Sequence, residues 1–247
     1  MPIETIILLV ALFFIIALFY ASAGLGGGSS YLAVLALFPL EFTSIRAIAL
    51  LCNITVVTSS VYLFYKSGFL KFRKVLSLII LSIPMAYLGG SIAITQNIFF
   101  ILLSVTLILA AISMIASKDI SQNKLPRYSN GIIGGTIGFL SGMVGIGGGI
   151  FLSPVLHLSK WDKPRVIAAT TALFILVNSM AGLTGQVINN EISIQSGLLI
   201  YLILAVFLGG QIGSRLTIKR FNPLTIKKIT AFLIFIVALR ILYKQFI

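Results

Sequence analysis

The sequence predicts an all-α polytopic membrane protein with two homologous, inverted repeats, each made of one glycine-broken, hairpin-like helix and three transmembrane helices. Three observations support this fold: an apolar composition, a duplicated pattern and an uneven distribution of Lys and Arg. Of the 247 residues, 59% are hydrophobic and 9% are charged, and the mean hydropathy is +1.13. These values lie far outside the soluble range, so we expect nearly the whole chain, and any function, to lie within the bilayer.

The composition also excludes several classes of chemistry. The chain has one cysteine, Cys52, and one histidine, His157, which excludes an internal disulfide and a multi-thiolate metal site. All acidic residues fall in the tail or the loops, so we expect no Ser–His–Asp site, no buried proton relay, no enzyme activity and no cofactor. The formal charge of +13 comes from basic residues that flank apolar segments, which is typical of topology signals rather than nucleic-acid binding.

Six apolar runs are long enough to cross about 30 Å of hydrocarbon as single helices. They cover residues 46–65, 75–94, 98–116, 166–187, 197–212 and 229–243. Two further apolar regions, 6–40 and 131–158, are too long for one straight crossing, and a glycine cluster interrupts each of them. Residues 6–20 resemble a secretory signal, but no Lys or Arg precedes them, so we expect this segment to stay in the mature protein.

The two glycine clusters belong to copies of one pattern. The cluster GLGGG (24–28) returns 121 residues later as GIGGG (145–149). Further pairs align in the same order: IRAIA (45–49) with PRVIA (164–168), Ser59–Ser60 with Asn178–Ser179, and LGGSI (88–92) with LGGQI (208–212). The chain is therefore interpreted as a tandem duplication. We expect a first membrane repeat at 1–120, a connecting loop at 121–128 and a second membrane repeat at 129–247.

The distribution of Lys and Arg favours inversion of the second repeat. If both interrupted regions crossed the membrane fully, the chain would make eight crossings, and each side would carry nine basic residues. If each region folds back as a hairpin, one side carries fifteen and the other only three, Arg46, Arg240 and Lys244. Because basic residues concentrate on the cytoplasmic side, we expect the hairpin arrangement, with both termini outside.

The glycine clusters are the expected site, because non-helical backbone at membrane depth is tolerated only where it is buried in protein or lines a polar cavity. After the first cluster, Ser29 or Ser30 is expected to cap a short helix that runs towards Leu40. A matching short helix is expected at about 150–158. Free N–H groups and the positive dipole end make such helix starts anion sites, so the two are expected to converge on one anion.

Hydroxyl and amide side chains within the spans complete the candidate site, since their donors suit a small oxyanion. The alternative is that Ser and Thr bond to their own helix or join neighbouring helices, and that glycines only allow close packing. We expect a packing role for Gly134, Gly138 and Gly142. The polar span residues Asn53, Thr55, Thr58, Thr184 and Gln186 could also contact a ligand, but they are not among the substrate-binding candidates. The substrate-binding candidates are Gly24, Gly26, Gly27, Gly28, Ser29, Ser59, Ser60, Gly145, Gly147, Gly148, Gly149, Thr170, Thr171, Asn178 and Ser179.

Two arginines, Arg46 and Arg165, occupy matched positions at predicted helix starts. One interpretation is that both side chains extend to the interface and contact lipid phosphate. The other is that they guide an anion inward.

These motifs together resemble the TauE/SafE sulfite exporter family. The resemblance rests on GLGGG (24–28), GIGGGIFLSPVL (145–156), RVIAATTALFILVNS (165–179) and LGGQIGSRL (208–216), and it covers essentially the whole chain. It implies a multi-pass transporter of the cytoplasmic membrane that exports sulfite or a small sulfur-containing organic anion. The first copy departs from the pattern, because Ala33 and Val34 stand where the second copy has Pro154.

The expected function is therefore transport of a small anion by alternating access, with that anion and the lipid bilayer as partners and no nucleic acid. An inside-negative membrane potential favours exit of an anion by about 2.3 kcal/mol per elementary charge per 100 mV. The alternative is a non-transporting membrane assembly or anchoring subunit. The oligomeric state stays open.

Overall fold

The computed structural model describes residues 2–22, 24–115, 129–188 and 196–216, together with the single residues 235, 239, 241 and 243. Within this part of the chain all regular structure is helical, which confirms the all-α prediction. The predicted connecting loop, 121–128, and most of the predicted last span, 229–243, lie outside the described residues. The helices are α1 (Ile3–Ser22), α2 (Gly28–Leu35), α3 (Phe42–Lys66), α4 (Phe72–Ser91), α5 (Gln96–Ile115), α6 (Ser129–Val144), α7 (Gly149–Leu158), α8 (Pro164–Ile188) and α9 (Ser196–Leu216).

Five of these helices are long and apolar enough to cross a membrane, and α5 adds a shorter apolar stretch, Gln96–Leu109. The described helices carry large apolar side chains on their outer surfaces, among them Ile80, Leu109 and Ile200. Exposed apolar surface on helices of this length is typical of contact with lipid. The chain is thus a multi-pass membrane protein. The five long spans are Ile3–Ala21, Phe42–Lys66, Phe72–Ser91, Pro164–Ile188 and Gly197–Arg215.

Glycines on α6 let this helix pack directly on the backbone of α4. A Cβ atom at Gly134, Gly138 or Gly142 would overlap a carbonyl oxygen of α4, so only glycine permits this approach. The predicted packing role of these glycines is therefore confirmed. Both helices run in the same direction, because the contacts follow ascending order on each. The contacts join Gly134 to Leu78, Gly138 to Ser82 and Gly142 to Ala86.

Helices α1 and α9 pack in the same manner. Gly209 lies against the backbone of Phe14, and Gly213 lies against the backbone of Leu18. These two helices also run in the same direction, since both contact positions ascend together. Each of the two close pairs joins a helix that precedes 121–128 with a helix that follows it, so the two halves of the chain are interlocked.

The long helices α3 and α8 cross in opposite directions. Gly182 of α8 lies beside Leu50 of α3, whereas Ile175 and Asn53 meet at Gly26. Position along α8 therefore decreases as position along α3 increases. The first glycine of each cluster packs at a different end of this crossing. Gly24, after α1, packs on Ala168 near the start of α8, and Gly145, after α6, packs on Arg46 near the start of α3.

Ion pairs join the start of α4 to the loop between α7 and α8. Asp162 pairs with Lys74 at 2.6 Å and with Lys71 at 3.1 Å. Partial burial alone would raise the pKa of Asp162, but hydrogen bonds from Lys74, the Lys163 backbone N–H and Lys71 outweigh it and hold the pKa at about 2. Asp162 therefore stays ionised at neutral pH and holds its loop against the start of α4.

Candidate functional site

The first glycine turn links α1 to α2. Gly24 and Gly27 have φ angles of 73° and 92°, in the left-handed region that residues with side chains rarely adopt. Gly27 is the N-cap of α2, and no side chain caps this helix. The predicted cap by Ser29 or Ser30 is therefore wrong, because the left-handed glycine starts the helix earlier and leaves both serines inside its first turn.

Side chains tie α2 back onto α1. The hydroxyls of Ser30 and Tyr20 form a hydrogen bond of 2.7 Å, and the ring of Tyr31 stacks on that of Phe13 with centroids 4.6 Å apart. The helix ends at Leu35, so it is shorter than the predicted run towards residue 40. The turn and α2 thus form a compact element held against the end of α1.

The second glycine turn links α6 to α7 and has one more left-handed residue than the first. Gly145, Gly147 and Gly148 have φ angles of 86°, 81° and 80°. Gly148 is the N-cap of α7, again without a side-chain cap. The short helix predicted at about 150–158 is confirmed, since α7 covers Gly149–Leu158. Both glycine clusters therefore produce the same local structure, a left-handed turn followed by a short helix.

The two turns meet at a small buried cavity of about 10 Å³. This volume holds about one water molecule, so an oxyanion would require the turns to move apart. Every polar side chain of the lining comes from the segment that precedes 121–128, and the following segment adds only Ile and Gly. The lining consists of Tyr20, Leu25, Gly26, Gly27, Gly28, Ser29, Asn53, Ile146, Gly149, Ile150 and Ile175.

Asn53 of α3 lies between the two turns, although it is absent from the predicted set. Its Nδ2 donates a hydrogen bond of 2.9 Å to the carbonyl oxygen of Ile146 in the second turn. Its amide also packs against Gly26 and Gly28, where a Cβ atom would overlap it. The repeat comparison misses Asn53 because the matched residue is Ala172. The available signal was an amide in the middle of an apolar span.

Several predicted residues lie beside the second turn. A Cβ atom on Gly147 would lie 2.6 Å from Ser179 Oγ and 2.8 Å from Asn53 Nδ2, so these side chains press on the turn. The methyl group of Thr171 contacts Gly149 in the same way. Both hydroxyl-bearing side chains are fully buried on α8. The structure therefore brings Ser179 and Thr171 to the junction of the two turns, behind the cavity lining.

Other predicted residues take part in helix contacts. Asn178 Nδ2 donates to the carbonyl oxygen of Phe174, and its Oδ1 accepts a hydrogen bond from Ser82 of α4. Ser59 Oγ donates to the carbonyl oxygen of Val56 in its own helix. Within the described residues, neither Asn178 nor Ser59 lines the cavity. Their geometry matches the alternative of helix-to-helix and within-helix bonding.

Buried polar atoms without a hydrogen-bond partner within the described residues concentrate on α3 and α8. Native proteins contain few such atoms, because each loses its bonds to water without replacement. Their concentration on the two helices that hold the glycine turns marks this crossing as polar in an otherwise apolar interior. They include Asn53 Oδ1, Ser60 Oγ, Thr170 Oγ1, Thr171 Oγ1 and Ser179 Oγ.

The matched arginines have different surroundings. Arg46 is fully buried, and its Nη2 lies 3.4 Å from the carbonyl oxygen of Gly142. Arg165 is exposed and lies over the ring of Phe69, 5.4 Å from the ring centroid. The interpretation that both extend to the interface is therefore wrong for Arg46, since packing of α6 and the second turn encloses its side chain. Within the described ranges, no three His, Cys, Asp or Glu side chains lie close enough to hold a metal ion.

Long apolar helices, with a small cavity between two glycine turns, define a multi-pass helical membrane protein. The family model described as "Sulfite exporter TauE/SafE" matches residues 9–241. The chain therefore belongs to the TauE/SafE sulfite exporter family, which confirms the resemblance of its motifs.

Three relatives extend this comparison, each named "Probable membrane transporter protein". The protein of Sinorhizobium fredii is 33% identical over 240 residues, which is 94% of this chain and 96% of the relative. The protein of Bacillus subtilis is 25% identical over 170 residues, or 63% and 61% of the two chains. The protein of Methanocaldococcus jannaschii is 32% identical over 120 residues, or 45% and 43%. No solved structure matches the chain significantly.

Proposed function

We propose that the protein is a transporter of the cytoplasmic membrane that exports a small anion, either sulfite or a sulfur-containing organic anion, by alternating access. The observation that carries this proposal is the meeting of two left-handed glycine turns at one buried cavity. Membership of the sulfite exporter family supports a sulfur oxyanion as the substrate. The matching relatives, which are themselves named as membrane transporters, support transport.

The starts of α2 and α7 supply the attraction for an anion. The first N–H groups of a helix have no acceptor within the helix, and its N-terminal end carries roughly half a positive charge. Gly27 and Gly28 at the start of α2 line the cavity, as does Gly149 at the start of α7. Because glycine has no side chain, the backbone N–H groups at both starts are accessible to a ligand. An oxyanion between the turns would accept hydrogen bonds from both.

Hydroxyl groups behind the lining extend the site. Thr171 and Ser179 are buried against the second turn, and their hydroxyls have no partner within the described residues. When the turns move apart to admit a ligand larger than one water molecule, these hydroxyls can rotate to donate to it. We therefore assign the first contact to the backbone of the turns and a supporting role to Thr171 and Ser179.

We further propose that the two repeats are inverted, and that each glycine-broken region returns to the side from which it enters. The matched helices α3 and α8 run in opposite directions, which supports inversion. The turn after α1 lies beside the start of α8. Because α3 and α8 run in opposite directions, this position is towards the end of α3. The chain must therefore return, through α2 and residues 36–41, to the other end of α3 before that helix begins. The Asp162–Lys74 ion pair joins the start of α4 to a loop that an eight-crossing chain would place on the other side of the membrane. This arrangement matches alternating access by rocking of repeats.

A labelling experiment tests the inverted arrangement. Single cysteines at Ser67 and Asn222, introduced in a Cys52→Ala background, are expected to react with a membrane-impermeant thiol reagent from the same side. Labelling from opposite sides would contradict inversion of the repeats. Transport itself would remain to be tested separately, because it does not depend on this result.

Reconstitution into proteoliposomes tests transport. Purified protein is expected to move sulfite, thiosulfate or sulfoacetate down a gradient and faster when the membrane potential favours anion exit from the interior. The alternative is a non-transporting anchoring subunit, in which the glycines serve only the close packing of helices such as α4 and α6. Such a subunit is expected to move none of these anions. Absence of movement in either direction for all three anions would contradict the transport proposal.

Glycine variants locate the site. Gly27→Leu and Gly148→Leu place a side chain on the left-handed N-caps. They are expected to abolish transport, since the new side chains would meet Tyr31 and Phe174 and displace the turns that hold the anion. Gly197→Leu is the matched control, because a side chain there meets no atom within 4 Å. Gel filtration and circular dichroism report whether each variant is folded. Normal transport by folded Gly27→Leu and Gly148→Leu proteins would rule out this site.

A further inference from the structure

We propose that the cavity selects anions that carry a hydrogen-bond donor of their own, such as hydrogen sulfite, over anions of equal charge and shape that carry none. This inference rests on the proposed anion transport and narrows its substrate class. It arises from Asn53, which is fully buried, lines the cavity and has an amide oxygen without a partner within the described residues.

The orientation of the Asn53 amide follows from its surroundings. Nδ2 lies 2.9 Å from the carbonyl oxygen of Ile146, an arrangement that requires a donor. A flipped amide would place two oxygen acceptors against each other, so the hydrogen bond decides which atom is Oδ1. Oδ1 is then directed at Gly26, one of the glycines that line the cavity. The second turn thus holds the amide so that its acceptor faces the first turn.

The cavity consequently presents two kinds of group to a ligand. The start of α2 offers backbone N–H donors, which suit the oxygens of any oxyanion. Asn53 Oδ1 offers an acceptor, which a fully deprotonated oxyanion cannot satisfy because it has only acceptors. An anion with one O–H or N–H group can satisfy both. A site built around a buried acceptor discriminates against ligands that leave it unpaired.

Water does not remove this discrimination. Asn53 Oδ1 is enclosed while the turns are together, and when they move apart to admit a ligand a water molecule can donate to it. A ligand without a donor displaces that water and leaves the acceptor unpaired, whereas a ligand with a donor replaces the lost hydrogen bond. The preference for a donor is therefore expected to appear as a difference in affinity between two ligands of the same size.

Sulfamate and methanesulfonate form the test pair. Both are tetrahedral sulfur monoanions at neutral pH and have the same number of heavy atoms, but sulfamate has an amino group where methanesulfonate has a methyl group. Titration of the purified full-length protein, followed by calorimetry or by thermal stabilisation, should give a Kd about tenfold lower for sulfamate. Equal affinities would overturn the selectivity for donors and leave the anion site intact. Failure of both anions and of sulfite to bind would overturn the anion site and this inference with it.

A variant pair assigns the preference to Asn53. Asn53→Leu keeps the shape of the side chain and removes the acceptor, so its two Kd values should become equal. Asn130→Ala is the control, because Asn130 is a buried amide that donates to Ser77 Oγ at 3.2 Å and does not line the cavity. It should keep the wild-type ratio. An unchanged ratio in Asn53→Leu would overturn the assignment. If that variant does not fold, the wild-type ratio alone decides the selectivity for donors.

Discussion

The two glycine turns share their sequence pattern and their short helices, yet they contribute unequally to the cavity. Residues before 121–128 supply seven of the eleven lining residues and all of the polar side chains, whereas the later residues supply only Ile and Gly. The backbone differs as well, since Gly147 is left-handed and its counterpart Gly26 is not. The repeated glycine pattern therefore provides a left-handed turn and a short helix twice, and the neighbouring side chains decide what each of them does.

The largest difference between the repeats is expected at the matched arginines. Arg46→Ala should lower the free energy of unfolding by about 3 kcal/mol, because it removes a large, fully buried side chain. Arg165→Ala should change it by less than about 0.5 kcal/mol, because that side chain is exposed. Thermal unfolding in detergent measures both variants, at roughly 2–4 °C per kcal/mol for a chain of this size. Equal shifts of the unfolding temperature in the two variants would contradict the difference in burial between Arg46 and Arg165.

A smaller difference is expected between the matched glycines. Gly147→Ala places a side chain on a left-handed residue, which costs about 1–2 kcal/mol before any contact is considered. Gly26→Ala has no such backbone cost, but its Cβ atom would meet Asn53 Oδ1. Thermal unfolding should therefore show the greater loss for Gly147→Ala. Substrate titration should show the greater loss of affinity for Gly26→Ala. The reverse order in both measurements would mean that the second turn forms the ligand contacts.

The polar residues Asn178 and Ser59, which align in the sequence comparison, give a third comparison. Asn178→Ala should lower the free energy of unfolding by about 1–1.5 kcal/mol, because it leaves the buried Ser82 hydroxyl without its acceptor. Ser59→Ala should have an effect below about 0.5 kcal/mol, because among the described residues Ser59 bonds to the Val56 carbonyl of its own helix. Chemical or thermal unfolding of both variants tests this. Loss of transport by Asn178→Ala at unchanged stability would instead support its predicted role in binding.

The smallest effect is expected at the loop contact of the second repeat. Asp162 pairs with Lys74, whereas the matched position in the first repeat is Thr43, which is not ionisable. Because the folded-state pKa of Asp162, about 2, lies below its ordinary value of 3.8, the stabilisation is complete above about pH 4 and disappears as pH falls to about 2. Asp162→Asn should cost at most about 1 kcal/mol at pH 7, since both lysines are half exposed.

Unfolding midpoints of the wild type and Asp162→Asn should therefore converge between about pH 4 and pH 2. The other predicted contributions do not depend on this carboxylate, so Arg165→Ala provides the control for general acid effects. A difference that persists unchanged at the lower pH would show that Asp162 stabilises the protein by something other than its charge.

Much of the fold is predictable from local pattern. Apolar length alone indicates the long helices, and the repeated glycine clusters indicate two breaks with short helices after them. The details of each break are not predictable in this way. Serine is the common N-cap, so Ser29 and Ser30 were natural candidates, but a left-handed Gly27 starts the helix without any side chain. Backbone conformation at a glycine is decided by the packing around it, because glycine itself accepts many conformations.

The residues of the candidate site are also only partly predictable from the sequence. Repeat symmetry directs attention to polar residues with polar counterparts, and it therefore selects Ser59 and Asn178, which bond within and between helices. It passes over Asn53, whose counterpart is Ala172 and which reaches both turns. A single residue that serves two copies of an element needs no counterpart, and a comparison of copies cannot detect it.

By itself, the sequence determined that this protein is helical, lies in a membrane and has two glycine-rich turns that are each followed by a short helix, because composition, apolar length and glycine clustering act locally along the chain. Only the tertiary structure decided that Arg46 is enclosed while Arg165 is exposed, and that one amide connects the two turns. These properties depend on how segments more than ninety residues apart pack against each other. Packing of that kind is a property of the assembled helices, and no single stretch of sequence contains it.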